Sequence, residues 1–374
     1  MSCRLISLVQ ESRPGTWGAP PTLWQRVRIR CLAATCGKVN AIQLPGTVTL
    51  QPKDLEAAYR GSRALVLGAT GFLGRWVARG LTRSKARLAL AVRDPGEFER
   101  IAKRWSIDAD VIDCSALDAQ SVEGALQNAD PDIVFNLIGY GVDRTETDPE
   151  LMWRINRDLV KVVARVVARS TANRQGWSGQ SLVHVGSALE YGLLDGVAAE
   201  DRDAEPHTPY GRSKLEGTNA LSETATETGL KALTARLFTV FGPGEHPGRL
   251  LPTIRRAATE GTQVRLSSGS QRRDFSYVED VAEGLLRHGV SAASPGAVVN
   301  LAAGRLITVR EFAESAARVL GLPPDQLQFG AEPVRSDEMR LTGVDVRRLA
   351  AWTGWTPPQD LEAALRRADA FEAA

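Results

Sequence analysis

The sequence has few cysteines, almost no excess of charge of either sign, and no long apolar run. Four cysteines in 374 residues are too few for a disulfide scaffold, so we expect a reducing compartment, the cytoplasm. Lys and Arg number 46 against 44 Asp and Glu, a net charge of +2, which argues against a protein that coats nucleic acid or an anionic membrane. No apolar stretch reaches the ~20 residues of a membrane-spanning helix. We therefore expect neither nucleic acid nor membrane as a partner.

The chain is long enough for one large domain or two closely joined domains, and 43% of its residues are hydrophobic. Residues 1–60 differ from the rest, because no helical or strand period persists through them. They hold Cys31 and Cys36 without a second pair of ligands nearby, so we predict no metal site. We interpret this segment as a poorly ordered extension that ends in a short helix near residues 52–59. Its Arg-rich character is also compatible with an organellar transit peptide, although serine is scarce.

A glycine-rich segment, GATGFLG at residues 68–74, lies between a short apolar run and an amphipathic run. In a turn from strand to helix, Gly68 permits the tight bend, Gly71 the approach of a pyrophosphate, and Gly74 close packing of the helix on the strand. The first helical turn offers its N–H groups and its positive dipole end to the phosphates. The order of strand, glycine turn and helix predicts a dinucleotide-binding site.

Strand and helix patterns keep alternating up to about residue 185, which predicts an α/β fold with a doubly wound parallel sheet, the Rossmann arrangement. The second strand ends at Arg93. At this place an Arg accommodates the 2′-phosphate of NADP, whereas an acid binds the ribose hydroxyl of NAD. Arg93 therefore favours NADP. NAD is the open alternative, in which Arg93 is a surface charge and Asp94 binds the ribose.

Three polar residues further along predict oxidoreductase chemistry. Ser187 follows a strand, and Tyr210 and Lys214 lie four residues apart at the start of a helix, so they share one face. An ammonium group and an oxidised nicotinamide beside a phenol lower the pKa of that phenol. Tyr210 can then exchange a proton with a substrate oxygen while hydride moves to or from the nicotinamide. Ser187 can hydrogen-bond the same oxygen.

Two other polar residues flank this motif. His184 alternates with valines in a strand, and we interpret it as a structural residue. Glu190 is the carboxylate closest to Ser187 in the sequence. No second acid accompanies Glu190 in this motif, so its presence indicates a role in proton transfer only weakly.

These motifs resemble the extended short-chain dehydrogenases/reductases of the NAD(P)-dependent nucleotide-sugar epimerase/dehydratase group. The resemblance covers residues 63–367. It includes four later segments, which are RLFTVFGPG at 236–244, RDFSYVED at 273–280, VNLA at 299–302 and GWTP at 354–357. The family likeness implies an enzyme, a smaller carboxyl-terminal substrate-binding lobe, a nucleoside diphosphate sugar as substrate, and a homodimer formed by the helices near residues 149–170 and 208–229.

The resemblance also implies roles for individual residues. Arg273 and Arg335 would bind the substrate pyrophosphate, for which bidentate Arg contacts are well suited, and Asn156 would support the active-site backbone. Ser187, Tyr210 and Lys214 would be catalytic, and Ser187 would also contact the substrate. The residues expected at the cofactor are Gly68, Thr70, Gly71, Phe72, Leu73, Gly74, Arg93, Ser115, Tyr210 and Lys214.

The predicted domains are an extension (1–60), an NAD(P)-binding Rossmann domain (61–240), and a nucleotide-sugar lobe (241–374) of which part of 270–302 returns to the Rossmann sheet.

Departures from the family pattern narrow the range of activities that the resemblance implies. Ala188 and Leu189 stand where the 4,6-dehydratases carry an Asp-Glu pair, so we do not expect dehydration. Three segments, at 135–141, 266–269 and 335–339, resemble CDP-paratose and CDP-abequose synthases, which are NADPH-dependent 4-keto reductases. Ser115 and Thr239 replace an acid and an Asn that are usual in the family.

We therefore predict an NADP(H)-dependent reductase that converts a nucleotide-linked 4-keto-deoxysugar to the 4-hydroxy sugar. Two alternatives stay open: a nucleotide-sugar 4-epimerase, and a non-catalytic NAD(P)-binding regulatory protein.

Overall fold

The structure is a computed structural model, and it describes residues 52–116, 118–143, 145–171, 176–334 and 338–374. The interpretation of residues 1–51 and the assignment of Arg335 to the substrate site lie outside the described residues. The described residues all fall within one compact unit, residues 46–374.

Short strands alternate with helices along the chain. The strands are β1 (Arg63–Leu67), β2 (Arg87–Val92), β3 (Asp110–Asp113), β4 (Ile133–Asn136), β5 (Leu182–Ser187), β6 (Asp195–Ala198), β7 (Ala232–Leu237), β8 (Thr239–Phe241), β9 (Val264–Leu266), β10 (Arg272–Tyr277), β11 (Ala297–Leu301), β12 (Leu306–Thr308), β13 (Leu327–Phe329) and β14 (Arg340–Val344). The helices are α1 (Pro52–Tyr59), α2 (Phe72–Arg83), α3 (Pro95–Trp105), α4 (Ala119–Ala129), α5 (Pro149–Trp153), α6 (Leu159–Thr171), α7 (Pro209–Thr228), α8 (Leu250–Glu260), α9 (Val278–Gly289), α10 (Val309–Leu320), α11 (Arg347–Thr353) and α12 (Leu361–Ala373).

Seven strands form one parallel sheet in the order β11-β7-β5-β4-β1-β2-β3. After β1 the chain builds β2 and β3 on one side and then returns to β4 on the other side. The strand order therefore reverses between β1 and β4. In open α/β sheets the ligand lies in the crevice at this point, beyond the carboxyl ends of the strands.

The sheet is buried on both faces, as its continuous apolar strands predict. Along β1, Ala64 and Val66 pack into a core shared with α2 and α9. Leu65 and Leu67 point the other way, into a core shared with α4, α6 and α7. Helices thus cover both faces, and the predicted doubly wound parallel sheet is confirmed.

Three small sheets lie outside the main sheet. One contains β12, β10 and β8, one pairs β13 with β9, and one pairs β14 with β6. No described helix combines the length and the apolar character that crossing a lipid bilayer would require.

The long helix predicted near residues 149–170 contains an interruption that the sequence did not reveal. A π-helical turn, Arg154–Asp158, separates α5 from α6. It brings the backbone of Asn156 so close to α7 that a Cβ at Gly217 would lie 2.0 Å from the Asn156 carbonyl oxygen. Single π turns inside α-helices are frequent at functional sites, and this one adjoins the polar residues described next.

Candidate active site

The glycine turn connects β1 to α2 at the point where the strand order reverses. Gly68 has φ +80°, a conformation that favours glycine. A Cβ at Gly74 would lie 2.1 Å from the Gly68 carbonyl oxygen, so only glycine allows α2 to begin this close to the turn. Gly71 is the N-cap of α2, and no side chain caps the helix. The N–H groups of its first turn therefore suit a dinucleotide pyrophosphate.

Three of the other residues predicted at the cofactor belong to this turn and to the start of α2. Thr70 is in the turn, and its carbonyl oxygen accepts a hydrogen bond from Arg75 Nε at 2.8 Å, while Phe72 and Leu73 begin α2. Ser115 follows β3, is exposed, and donates its N–H to the Asp113 carboxylate at 2.9 Å.

Arg93 and Asp94 follow β2 directly, and both are exposed. The Asp94 carboxylate accepts the N–H of Glu97 at 3.1 Å and caps α3. Asp94 thus serves as the N-cap of α3 through one of its two carboxylate oxygens.

Ser187, Tyr210 and Lys214 come together at the carboxyl end of β5. Ser187 is the last residue of that strand, and Lys214 Nζ donates to the Val185 carbonyl oxygen at 2.5 Å. Tyr210 is in the first turn of α7, which Thr208 caps by accepting the N–H of Gly211 at 3.0 Å. The cap explains why α7 begins where it does.

Burial dominates the pKa values of the two titratable members of this group. It raises the pKa of Tyr210 above its ordinary value, and a hydrogen bond with the Ser187 side chain offsets part of that rise. Burial lowers the pKa of Lys214 to about 8, against an opposing effect of the Glu190 charge. The net effect of the protein on the Tyr210 pKa is thus upward, because loss of hydration penalises the phenolate most. The lowering expected from Lys214 together with an oxidised nicotinamide stays a prediction.

Glu190 lies behind these residues and is fully buried. Its Oε1 accepts the N–H of Ser187 at 2.8 Å, and its Oε2 accepts Nε of Arg236 at 2.8 Å and the hydroxyl of Thr218 at 3.1 Å. This carboxylate is thus enclosed by protein partners, and a role of Glu190 in proton transfer stays a prediction. His184 is also fully buried, as expected of a structural residue.

Asn156 binds the backbone of the loop after β4, and its support of an active site stays a prediction. Its Oδ1 accepts the N–H of Tyr140 at 3.0 Å, and its Nδ2 donates to the Tyr140 carbonyl oxygen at 2.7 Å and to the Ser213 hydroxyl at 2.9 Å. The side chain thereby ties the loop after β4 to α7.

Sequence reasoning missed several residues around Tyr210. The charges of Glu146 and Arg249 shift the pKa of Tyr210 in opposite directions, upward for Glu146 and downward for Arg249. His246 Nδ1 lies 2.9 Å from Asp143 Oδ2 and joins the loop after β8 to the loop after β4. These residues come from loops far apart in the chain, so no spacing pattern could have identified them.

Arg273 lies on β10 and forms a bidentate ion pair with Glu338. The sequence did not reveal this pair. The neighbouring Asp274 is fully buried, and its carboxylate accepts the N–H groups of Ala303 at 3.0 Å and Gly304 at 2.7 Å. Burial raises the pKa of Asp274, and these donors act against that rise. Asp274 is therefore a structural support for the strand that carries Arg273.

Residues 64–304 match the NAD dependent epimerase/dehydratase family. The chain is 28% identical to dTDP-6-deoxy-L-talose 4-dehydrogenase (NAD(P)(+)) of Kitasatospora kifunensis, over 82% of this chain and 94% of the relative. It is 27% identical to GDP-6-deoxy-D-mannose reductase of Pseudomonas aeruginosa, over 81% and 95%. It is 26% identical to UDP-glucose 4-epimerase of Mycolicibacterium smegmatis, over 79% and 93%.

Among solved structures, MoeE5 in complex with UDP-glucuronic acid and NAD is 26% identical, with a TM-score of 0.69 over 83% of this chain and 98% of that one. The similarity thus spans nearly the whole length of these proteins.

Proposed function

The chain belongs to the NAD dependent epimerase/dehydratase family, and on that premise we propose that it reduces the 4-keto group of a nucleotide-linked deoxysugar with NADP(H). The family assignment, the enzyme class and a nicotinamide dinucleotide as cofactor agree with the predictions made from the sequence. The finer statement, reduction at C4, draws support from two relatives whose names are those of a deoxysugar 4-dehydrogenase and a deoxysugar reductase.

The observation that carries the proposal is the meeting of Ser187 and Tyr210 at the carboxyl end of β5, next to Lys214. The bound dinucleotide supplies the hydride that reduces C4. Tyr210 donates the proton to the keto oxygen, and Ser187 hydrogen-bonds the same oxygen. Burial raises the pKa of Tyr210 and keeps the phenol protonated, which is the form that a reduction requires. Lys214 holds the nicotinamide ribose and supplies positive charge close to the phenol.

One further feature supports this reaction over dehydration. Ala188 and Leu189 follow Ser187, and neither side chain can exchange a proton. In this proposal the pyrophosphate of the substrate binds Arg273 and Arg335, whose planar guanidinium groups match phosphate oxygens. Arg93 binds the 2′-phosphate of NADP. We also propose a homodimer in the cytoplasm.

The test uses NADPH and 4-keto-6-deoxysugars linked to UDP, GDP, CDP or dTDP. We expect one of them to cause a stoichiometric loss of the absorbance of the reduced nicotinamide. Tyr210→Phe removes the proton donor and should lower kcat by about 10²- to 10⁴-fold. Tyr277→Phe, on β10 where the ring packs against Trp76 and Phe241, is the matched control and should stay within twofold of the unsubstituted enzyme.

A nucleotide-sugar 4-epimerase is the second candidate, and the similarity to UDP-glucose 4-epimerase favours it. An epimerase returns the hydride to the opposite face and consumes no cofactor. Conversion of a 4-hydroxy nucleotide sugar to its C4 epimer, with no net change in reduced nicotinamide, would replace the reductase proposal by this one.

A further inference from the structure

A buried ion pair lies directly behind the catalytic residues. Glu190 is 0% exposed and Arg236 is 4% exposed. Arg236 Nε lies 2.8 Å from Glu190 Oε2, and the guanidinium carbon lies 4.5 Å from the centre of the Tyr191 ring. The Tyr191 hydroxyl in turn donates to Asn300 Oδ1 at 2.8 Å. Such a pair is costly to bury unless it is hydrogen-bonded, and here both carboxylate oxygens of Glu190 accept hydrogen bonds.

The Glu190 carboxylate connects three elements that must keep a fixed relation for the proposed chemistry. It accepts the backbone N–H of Ser187 at the end of β5 and the hydroxyl of Thr218 on α7. Thr218 is one helical turn beyond Lys214 and two turns beyond Tyr210. Through Arg236 the carboxylate also holds β7.

The same carboxylate is the charged group that acts on Lys214. Glu190 favours the protonated lysine against its burial, and it also raises the pKa of Tyr210. Glu146 and Arg249 are the other charges that act on Tyr210. His184, on β5 near Lys214, has its pKa lowered by burial and by the lysine charge. The negative charge of Glu190 therefore affects the pKa values of both Lys214 and Tyr210.

We propose that Glu190 is a positioning residue, which fixes Ser187 relative to Tyr210 and Lys214 and holds the positive charge of Lys214 in place. It touches neither substrate nor cofactor and acts through its neighbours. Replacement of a whole buried ion pair by apolar side chains of similar volume is often neutral or stabilising, so stability alone does not account for the pair here. This inference rests on the proposed function.

The test compares four variants with the unsubstituted enzyme by kcat, KM and the pH dependence of kcat. Glu190→Gln removes the charge and leaves Arg236 buried without an anion, so its melting temperature should fall. Glu190→Gln combined with Arg236→Gln removes both charges and should recover most of that loss. In the double variant we expect kcat to fall by about 10- to 100-fold with KM within threefold, and the alkaline limb of the profile to move about one pH unit lower.

Glu283→Gln is the matched control. It removes the carboxylate of another buried arginine, Arg287, which also lies against an aromatic ring, that of Trp355 at 5.3 Å. It should lower the melting temperature and leave kcat and the pH profile unchanged. Thr218→Val keeps both charges and removes only the hydrogen bond to α7, and it should lower kcat about threefold to tenfold with an unshifted profile.

The proposal would be overturned if the double variant kept both the kcat and the alkaline limb of the unsubstituted enzyme. Should the double variant fail to fold, Thr218→Val decides, and an unchanged kcat there is the contrary result. Absence of turnover in both the unsubstituted enzyme and Glu283→Gln would instead count against the proposed function. Melting temperatures can be measured without turnover, so in either case they report how much the ion pair contributes to stability.

Discussion

Both oxygens of the Glu338 carboxylate bind Arg273, with Nε 2.6 Å from Oε1 and Nη2 2.5 Å from Oε2. The two residues are 65 positions apart in the sequence. Parallel contacts of this kind fix the plane of the guanidinium and not only its position. Arg273 therefore presents its remaining donors in one orientation, which suits a residue proposed to bind a pyrophosphate.

Removal of Glu338 should weaken substrate binding. In Glu338→Ala, Arg273 loses its fixed orientation, and we expect KM for the nucleotide sugar to rise about tenfold, equivalent to about 1.4 kcal/mol, with kcat within twofold. Steady-state kinetics measures both. Glu332→Ala, which breaks the exposed pair with Arg265, is the control and should leave KM unchanged. A lower KM in Glu338→Ala would mean that the carboxylate competes with the substrate.

The glycine turn should not tolerate a methyl group at Gly74. A Cβ there would lie 2.1 Å from the Gly68 carbonyl oxygen, so α2 must shift. Gly74→Ala should lower the melting temperature and weaken NADPH binding at least tenfold, as measured by calorimetry. Gly124→Ala on α4 meets nothing within 4 Å and should raise stability by about 0.5–1 kcal/mol. NADPH affinity unchanged in Gly74→Ala would place the cofactor elsewhere.

Arg93 should decide between the two dinucleotides. Arg93→Gln removes the cation proposed to bind the 2′-phosphate, so the Kd for NADPH should rise about tenfold while the Kd for NADH stays the same. Fluorescence titration with each dinucleotide checks this. Arg87→Gln, at the opposite end of β2 and also exposed, should change neither value. Equal weakening of NADPH and NADH in Arg93→Gln would contradict a phosphate contact.

The alkaline limb of the activity should reflect Lys214. Burial lowers the pKa of this lysine to about 8, so its charge is lost at a lower pH than in an exposed lysine. We expect kcat to fall as the pH rises through about 8. In Lys214→Arg the cation stays protonated over this range, and that limb should disappear even if kcat is lower. Persistence of the limb in Lys214→Arg would assign it to a group other than Lys214.

Local patterns predicted much of the fold. The apolar runs of β1, β2, β4 and β5, the glycine turn, and the four-residue spacing of Tyr210 and Lys214 depend on neighbours in the chain, and the structure contains them near the predicted positions. Helix α3 was missed, although Asp94 and Pro95 form an N-cap signature at its start. Asp94 had instead been considered for the ribose.

The sequence by itself determined the parallel sheet, the dinucleotide turn and the pairing of Tyr210 with Lys214, because each follows from periodicity or backbone conformation over a few residues. Only the tertiary structure decided that Glu190 binds Arg236, 46 positions away, and that Glu338 holds Arg273. It also decided that the pKa of Tyr210 is raised. Those outcomes depend on how much water and which distant charges surround a side chain, and the folded arrangement of distant segments sets both.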